Sequence, residues 1–172
     1  MTGGVYVEES GVYQIDCTQA IWATDQVHSQ YHAAGTFLCD ADFIAETSNY
    51  IYIIEYKNAN IPNAANPAGF NPSAQDKVDK VARKFYDSLH YLSTNNKNKP
   101  VKYIYVVEYP NAGSTDRRLL RNKIADRLPF RLQQGKAKSI IDGFDVVSIA
   151  EWNSHQDYSQ LPLTLIMQGA TT

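Results

Sequence analysis

The sequence predicts an α/β fold, a mixed central β-sheet flanked by helices, on three observations. Segment 37–57 reads as two strands about a two-residue turn at Ser48-Asn49, because aromatic and β-branched residues dominate Tyr50–Lys57. Val78, Val81, Ala82, Phe85, Leu89 and Leu92 recur at helical spacing and predict a helix over 73–92. The near-continuous apolar run VKYIYVVEY, 101–109, suits a strand in a sheet interior. Strand, helix and strand in that order call for a right-handed parallel crossover. The 172 residues suffice for one domain, 1–172, with a sizeable core.

The remaining elements follow in order. Val5–Asp16 reads as a small hairpin about Ser10-Gly11. Asp16 or Thr18 caps a predicted helix running to His32, with Ala20, Ile21, Ala23, Val27 and Tyr31 as its apolar stripe and Gly35 at its close. His28 and His32 lie one helical turn apart, a spacing that can hold a transition metal. Residue 29 is Ser and no third ligand is near, so two histidines on a solvated face are the simpler reading. Segment 59–73, rich in Asn, Pro, Ala and Gly, reads as a lid or binding loop leading off the second strand. Ser73 or Asn71 caps the 73–92 helix, whose Lys77, Lys80 and Lys84 read as a solvated basic stripe; Thr94-Asn95-Asn96 and Pro100 close this segment. Ser114 and Thr115 cap a further helix that ends near Leu128, before Pro129. Phe144–Ala150 is a strand, Leu161–Met167 a short edge strand that tolerates Pro162, and the terminal Gly-Ala-Thr-Thr a frayed end.

Composition excludes little. The formal charge of −2 assigns no partner by itself. Cys17 and Cys39 make neither a zinc knuckle nor a disulfide framework, which leaves a reduced cytoplasmic setting as the expectation. No apolar run approaches the ~20 residues of a membrane span, and the first ten residues lack the apolar stretch of a signal peptide. Local charge says more. From 116 to 138, Arg117, Arg118, Arg121, Lys123, Arg127, Arg131, Lys136 and Lys138 face only Asp116 and Asp126. Such a segment suits contact with phosphates, and equally suits a helix whose arginines pair with acids elsewhere in the fold.

The chemistry concentrates in the 37–57 hairpin. A two-residue loop pairs Thr47 with Tyr50, which sets Asp42 opposite Glu55 and Asp40 opposite Lys57, all four on one face. Ile51, Ile53, Leu38 and Ile44 share that face, so the carboxylates interrupt an apolar surface instead of belonging to a wet one. Opposed residues stand with Cβ atoms about 4.5–5.5 Å apart, and two carboxylates that close repel. A proton, a cation such as Lys57, or a divalent metal must offset this. Glu108, near the end of the third strand, is a further acid that can approach the cluster.

With these residues in place, the chain resembles the PD-(D/E)XK nuclease superfamily, the restriction-endonuclease-like fold. The resemblance spans about 16–109. Asp42 matches that family's first acid, and Glu55 and Lys57 match its acid-x-Lys, inside the apolar run IYIIEYKN. Ala41 replaces the proline, the first helix carries no glutamate, and Gln75 is followed four residues on by Asp79 instead of Tyr. The family's first core strand must come from the N-terminal hairpin or from residues assigned above to the first helix.

The resemblance implies a Mg²⁺- or Mn²⁺-dependent hydrolase of phosphodiesters, most readily in DNA. Asp42, Glu55 and the Tyr56 carbonyl would hold the ion. Lys57 would orient the attacking water or stabilise the developing charge, with Asp40 accepting from Lys57 or reaching the ion through water. Arg117, Arg118, Arg121, Lys123 and Arg127 would follow the nucleic-acid backbone. A homodimer is one assembly it implies, since two strands require two cuts. Two other readings stand beside it: a non-catalytic nucleic-acid-binding or protein-interaction module on the same fold, and an assembly protein whose twelve tyrosines serve an interface.

Overall fold

The computed structural model describes residues 3–166; the predicted frayed end and Met167 lie outside them. The chain runs β1 (Val5–Val7), β2 (Tyr13–Asp16), β3 (Trp22–Thr24), α1 (Val27–Ala33), β4 (Phe43–Glu46), β5 (Ile51–Asn58), α2 (Gln75–Thr94), β6 (Val101–Glu108), α3 (Ser114–Ala125), β7 (Gly143–Val147), α4 (Ile149–Ser154) and β8 (Leu163–Leu165). A five-stranded mixed sheet has the order β3-β4-β5-β6-β7. Its first three strands are antiparallel neighbours and its last three are parallel. A smaller antiparallel sheet, β1-β2-β8, stands apart from it.

The hairpin at the centre adopts the register read from its turn, with Phe43 opposite Ile54 and Glu46 opposite Ile51. The Thr47 amide donates to the Tyr50 carbonyl at 2.8 Å and closes the two-residue loop. Residues 51 to 56 of β5 are all buried, because both faces of the strand are covered. Ile51 and Ile53 face a core with Val81, Phe85, Leu120 and Ile124, so α2 and α3 lie on that side, joined there by Val27 of α1. Tyr52, Ile54 and Tyr56 face a second core with Ile15, Trp152, Tyr158 and Leu163, supplied by the small sheet and the α4 region. The two parallel connections, β5–α2–β6 and β6–α3–β7, therefore return over one face of the sheet.

Several sequence expectations are corrected. The helix predicted from Asp16 or Thr18 to His32 is a strand, β3, followed by a single short helix. Trp22 packs against one core and Ala23 is buried in the other, so successive side chains point to opposite faces as in a strand instead of lining one helical stripe. The residues assigned to the start of that helix thus supply β3, an edge strand of the five-stranded sheet. The Asp-bearing strand starts at Phe43, not at 37; residues 37 to 42 are irregular chain. α2 begins after Ala74 with no side-chain cap, the Asn71 side chain accepting instead from the Ser73 amide. Gly113, rather than Ser114 or Thr115, is the N-cap of α3, its amide donating to Asp116 Oδ2 at 2.9 Å. β7 ends at Val147, and Ser148 caps α4 by accepting from the Glu151 amide, a capping box that stops the strand. The N-terminal hairpin forms as read, and the edge strand read over Leu161–Met167 is shorter among the described residues, Leu163–Leu165; the two pair through β2. Gly11, at φ +73°, takes the left-handed turn position of that hairpin.

α2 carries the larger core through Phe85, fully buried and set 5.4 Å, centroid to centroid, from Tyr103. Phe85→Ala is expected to lower the free energy of unfolding by about 3–5 kcal/mol in urea titrations, the range for a large aromatic removed from a close-packed core.

Candidate functional site

β5 outruns β4. Its ladder with β6 continues to Asn58, while its pairing with β4 stops at Phe43–Ile54. The Tyr56 amide is left without a backbone partner on the β4 side and donates instead to Asp42 Oδ2 at 2.7 Å. This bond fixes Asp42 beside Glu55, the neighbour expected from the register. The segment ahead of Asp42 is fastened to α2: Arg83 donates to the Phe37 carbonyl, Asp87 accepts from the Cys39 amide, and Ser88 accepts from the Ala41 amide.

Glu55 points into the α2 side of the sheet and is almost wholly buried. Its partner is Lys84, one of the three lysines read as a solvated stripe. That expectation is corrected for Lys84, whose side chain is only 15 % exposed. Its ammonium donates to both Glu55 oxygens at 2.7 Å and lies 3.9 Å from Asp42 Oδ1. The reason is geometric: the α2 turn that places Val81 and Phe85 in the core carries Lys84 over the end of β5, where a buried carboxyl requires a partner.

Lys57, two residues beyond Glu55, is exposed and makes no ion pair among the described residues. It lines an open cleft of about 330 Å³ with Asp42, Tyr56, Asn58, Ile61, Glu8 and Glu9. Ile61 belongs to the 59–73 loop, which therefore walls the cleft on one side. Glu8 is turned inward, accepting from the Ser10, Val12 and Tyr13 amides and from the Ser10 hydroxyl. A second cleft on the other side of Asp42, about 500 Å³, is bordered by Asp25, His28, Asp40, Lys80 and Lys84.

Asp40 does not meet Lys57. With residues 37 to 42 out of the sheet, it lies 3.1 Å from His28 Nδ1. His28 and His32 have rings 6.0 Å apart. Glu108 also stands away from the carboxylates and accepts from the Ile149 amide at the start of α4. Among the described residues, no three His, Cys, Asp or Glu side chains gather into a metal-holding group.

The basic segment divides. Arg117 is buried and makes two bonds to Glu151, at 2.9 and 2.8 Å, so it is tied into the fold and has no guanidinium face to offer a ligand. Arg121 pairs with Asp145, and Arg127 reaches across to Asp79 of α2. Arg118 and Lys123 are exposed and make no ion pair among the described residues. The reading in which the arginines pair with acids elsewhere holds for Arg117, Arg121 and Arg127.

Electrostatics set the trio of Asp42, Glu55 and Lys84 apart. Burial, then the Asp42 charge, push the Glu55 carboxyl up to about 8 against the pull of Lys84. Loss of water around its charged form raises Asp42 as well, opposed by Lys84 and the Tyr56 amide. Burial pulls the Lys84 ammonium down, but the facing Glu55 and Asp42 charges outweigh it and hold it above its ordinary value. Two carboxyl groups and one cation are confined at the mouth of a cleft, with a second cation, Lys57, free beside them. Such a set can bind a cation, accept a proton or orient a polar ligand. Comparison with models of protein families, with curated proteins and with solved structures found no match.

The Glu55 shift gives a signed pH dependence. Its folded value lies above its ordinary 4.5, so the folded chain binds the proton more tightly than the unfolded one. Glu55's contribution to stability is complete below about 4.5 and is lost as pH rises through about 8. Urea midpoints measured in chelator should fall across this window in the wild type, and Glu55→Gln should flatten that slope.

Proposed function

We propose that this chain is a metal-dependent phosphodiester hydrolase, a nuclease acting on DNA. One observation carries the reading: Asp42, just ahead of β4, and Glu55 of β5 already hold a positive charge between them, the Lys84 ammonium, with Lys57, which makes no ion pair among the described residues, at the same cleft. The identities and order along the chain, Asp42 then Glu55-x-Lys57, fit the PD-(D/E)XK pattern that the sequence resembles. The antiparallel β4–β5 pair followed by a helix and a parallel strand is consistent with it.

The donor set suits Mg²⁺ or Mn²⁺. A small hard cation takes one or two carboxylates and keeps several waters, so Asp42 and Glu55, with the Tyr56 carbonyl on the β4-facing edge of β5, meet its needs without a third acid. The ion, when bound, supplies polarisation of a phosphate oxygen and a more acidic water. The chain's own residues do the rest. The Tyr56 amide orients Asp42, and the α2 contacts to 37–41 keep that carboxylate from swinging away. Lys57 presents an ammonium to the cleft, where it can orient a water or balance charge that grows on phosphate. Ile61 and the loop that bears it limit water on one side. Arg118 and Lys123 are the members of the basic segment best suited to a nucleic-acid backbone, with Arg121 and Arg127 available by exchange of their exposed pairs. Arg117 is left out of that role by its burial against Glu151.

A second reading has its own support. The Lys84 bond to both Glu55 oxygens satisfies the buried acid without a metal, and four basic-segment arginines, Arg117, Arg121, Arg127 and Arg131, are already paired. Both features suit a non-catalytic interaction module on this fold. Cleavage of DNA in Mg²⁺ separates the two. Asp42→Asn and Lys57→Ala, each folded by circular dichroism, are expected to lose at least about 100-fold in rate, the scale for removing a group that stabilises transition-state charge. Activity undiminished in either variant would sink the mechanism, and a wild type inert on duplex and single-stranded DNA would favour the module.

A further inference from the structure

Lys84 is the residue that neither the family-like pattern nor the reading of its helix assigns a task. It comes from a different element than the carboxylates, is buried along its stem by the packing of α2, and ends with its ammonium on both oxygens of Glu55. Asp42 Oδ1, at 3.9 Å, faces the same nitrogen. Removing the partner of a buried acid is strongly destabilising, so Glu55 has to be answered by a proton or by a cation whenever the site is empty, and Lys84 is the cation in place. The ammonium stands where an ion shared by the two carboxylates would bind, and a lysine charge and a divalent ion held against the same two oxygens of Glu55 repel each other at close range. The lysine can leave: its stem is four flexible carbons, and it borders the open cleft shared with Lys80 and Asp40.

We propose that Lys84 is a built-in counter-ion that holds the Asp42–Glu55 site together in its metal-free form and competes with the divalent cation for it. The proposal rests on the reading of Asp42 and Glu55 as a cation site and adds how that site is kept ready and how its affinity is set. Lys84 thereby makes loading an exchange of one cation for another rather than the filling of an open site. Binding of the divalent ion drives the ammonium out toward the cleft. The chain gives up metal affinity in return for a folded, metal-free state.

The test is Mn²⁺ affinity by calorimetry, in the full chain, for the wild type, Lys84→Met, Lys84→Gln and Lys80→Met. Lys80 borders the same cleft without an ion pair among the described residues, so its variant reports any general effect of one lost lysine. Lys84→Met and Lys84→Gln are expected to bind Mn²⁺ on the order of tenfold more tightly, a modest share of the energy of one close charge pair, with Lys80→Met nearly unchanged. Lys84→Gln keeps a donor for Glu55 should the methionine variant fail to fold. A measurement on the wild type alone stands behind both. Saturating Mn²⁺ should raise the rate at which acetic anhydride modifies Lys84, read by mass spectrometry, and leave Lys80 unaltered. Equal or weaker Mn²⁺ binding in the folded Lys84 variants, or a Lys84 that stays unreactive in Mn²⁺, overturns the competition while the carboxylate site stands. Absence of binding in every protein overturns the competition and the cation site together.

Discussion

The register of β5 is the constraint on which the rest of the structure depends. This strand is buried on both faces for six consecutive residues, with β4 antiparallel on one side and β6 parallel on the other. A slip of one residue would send Ile51, Ile53 and Glu55 into the core that now holds Tyr52, Ile54 and Tyr56, and the reverse. No slipped pairing leaves either core intact. The position of Glu55 under α2, and of Lys57 beyond the last covered turn, follows from that one pairing.

A buried carboxyl is tolerated in such a strand only if the surrounding elements answer it. Here the answer comes from two directions. The chain just ahead of β4 supplies Asp42, which takes the hydrogen bond of the Tyr56 amide. α2 supplies Lys84, along with the side chains of Arg83, Asp87 and Ser88 that fasten the chain leading to Asp42. One helix thus covers the core, neutralises the buried acid and orders the loop that carries the second acid. Packing and the charge pair are linked at this point, because Lys84 and the core residues Val81 and Phe85 belong to one helix.

Charge on the α3 side serves architecture first. Arg117 joins α3 to α4 through Glu151, which also accepts from the Ser148 amide at the α4 cap. Arg127 spans from the end of α3 to Asp79 of α2, and Tyr86 of α2 donates to the Arg127 carbonyl. These links tie together elements that the sheet alone leaves as separate crossovers. The cations left over, Arg118 and Lys123 among them, are fewer than the sequence count suggested.

Hydrophobic periodicity and turn chemistry were sufficient for the 51–58 strand, the long α2 helix, the 101–108 strand and the hairpin register, because each is a local pattern long enough to be unambiguous. The nearness of Asp42 to Glu55 was legible for the same reason, although the ladder itself stops one pair short of them, at Phe43–Ile54. β3 and α4 were not legible, since three or six residues carry no distinguishing period and are held by neighbours distant in sequence. The departure of residues 37 to 42 from the sheet, which gave Asp40 to His28 instead of Lys57, was decided by α2. So was the fate of the three lysines on that helix. Their spacing is that of a solvated face, and only the docking of α2 over the end of β5 buries Lys84 and leaves Lys77 and Lys80 in water. The sequence by itself determined which acids stand together; tertiary packing decided which cation stands between them, because a charge partner across 29 residues is chosen by how a helix lies on a sheet.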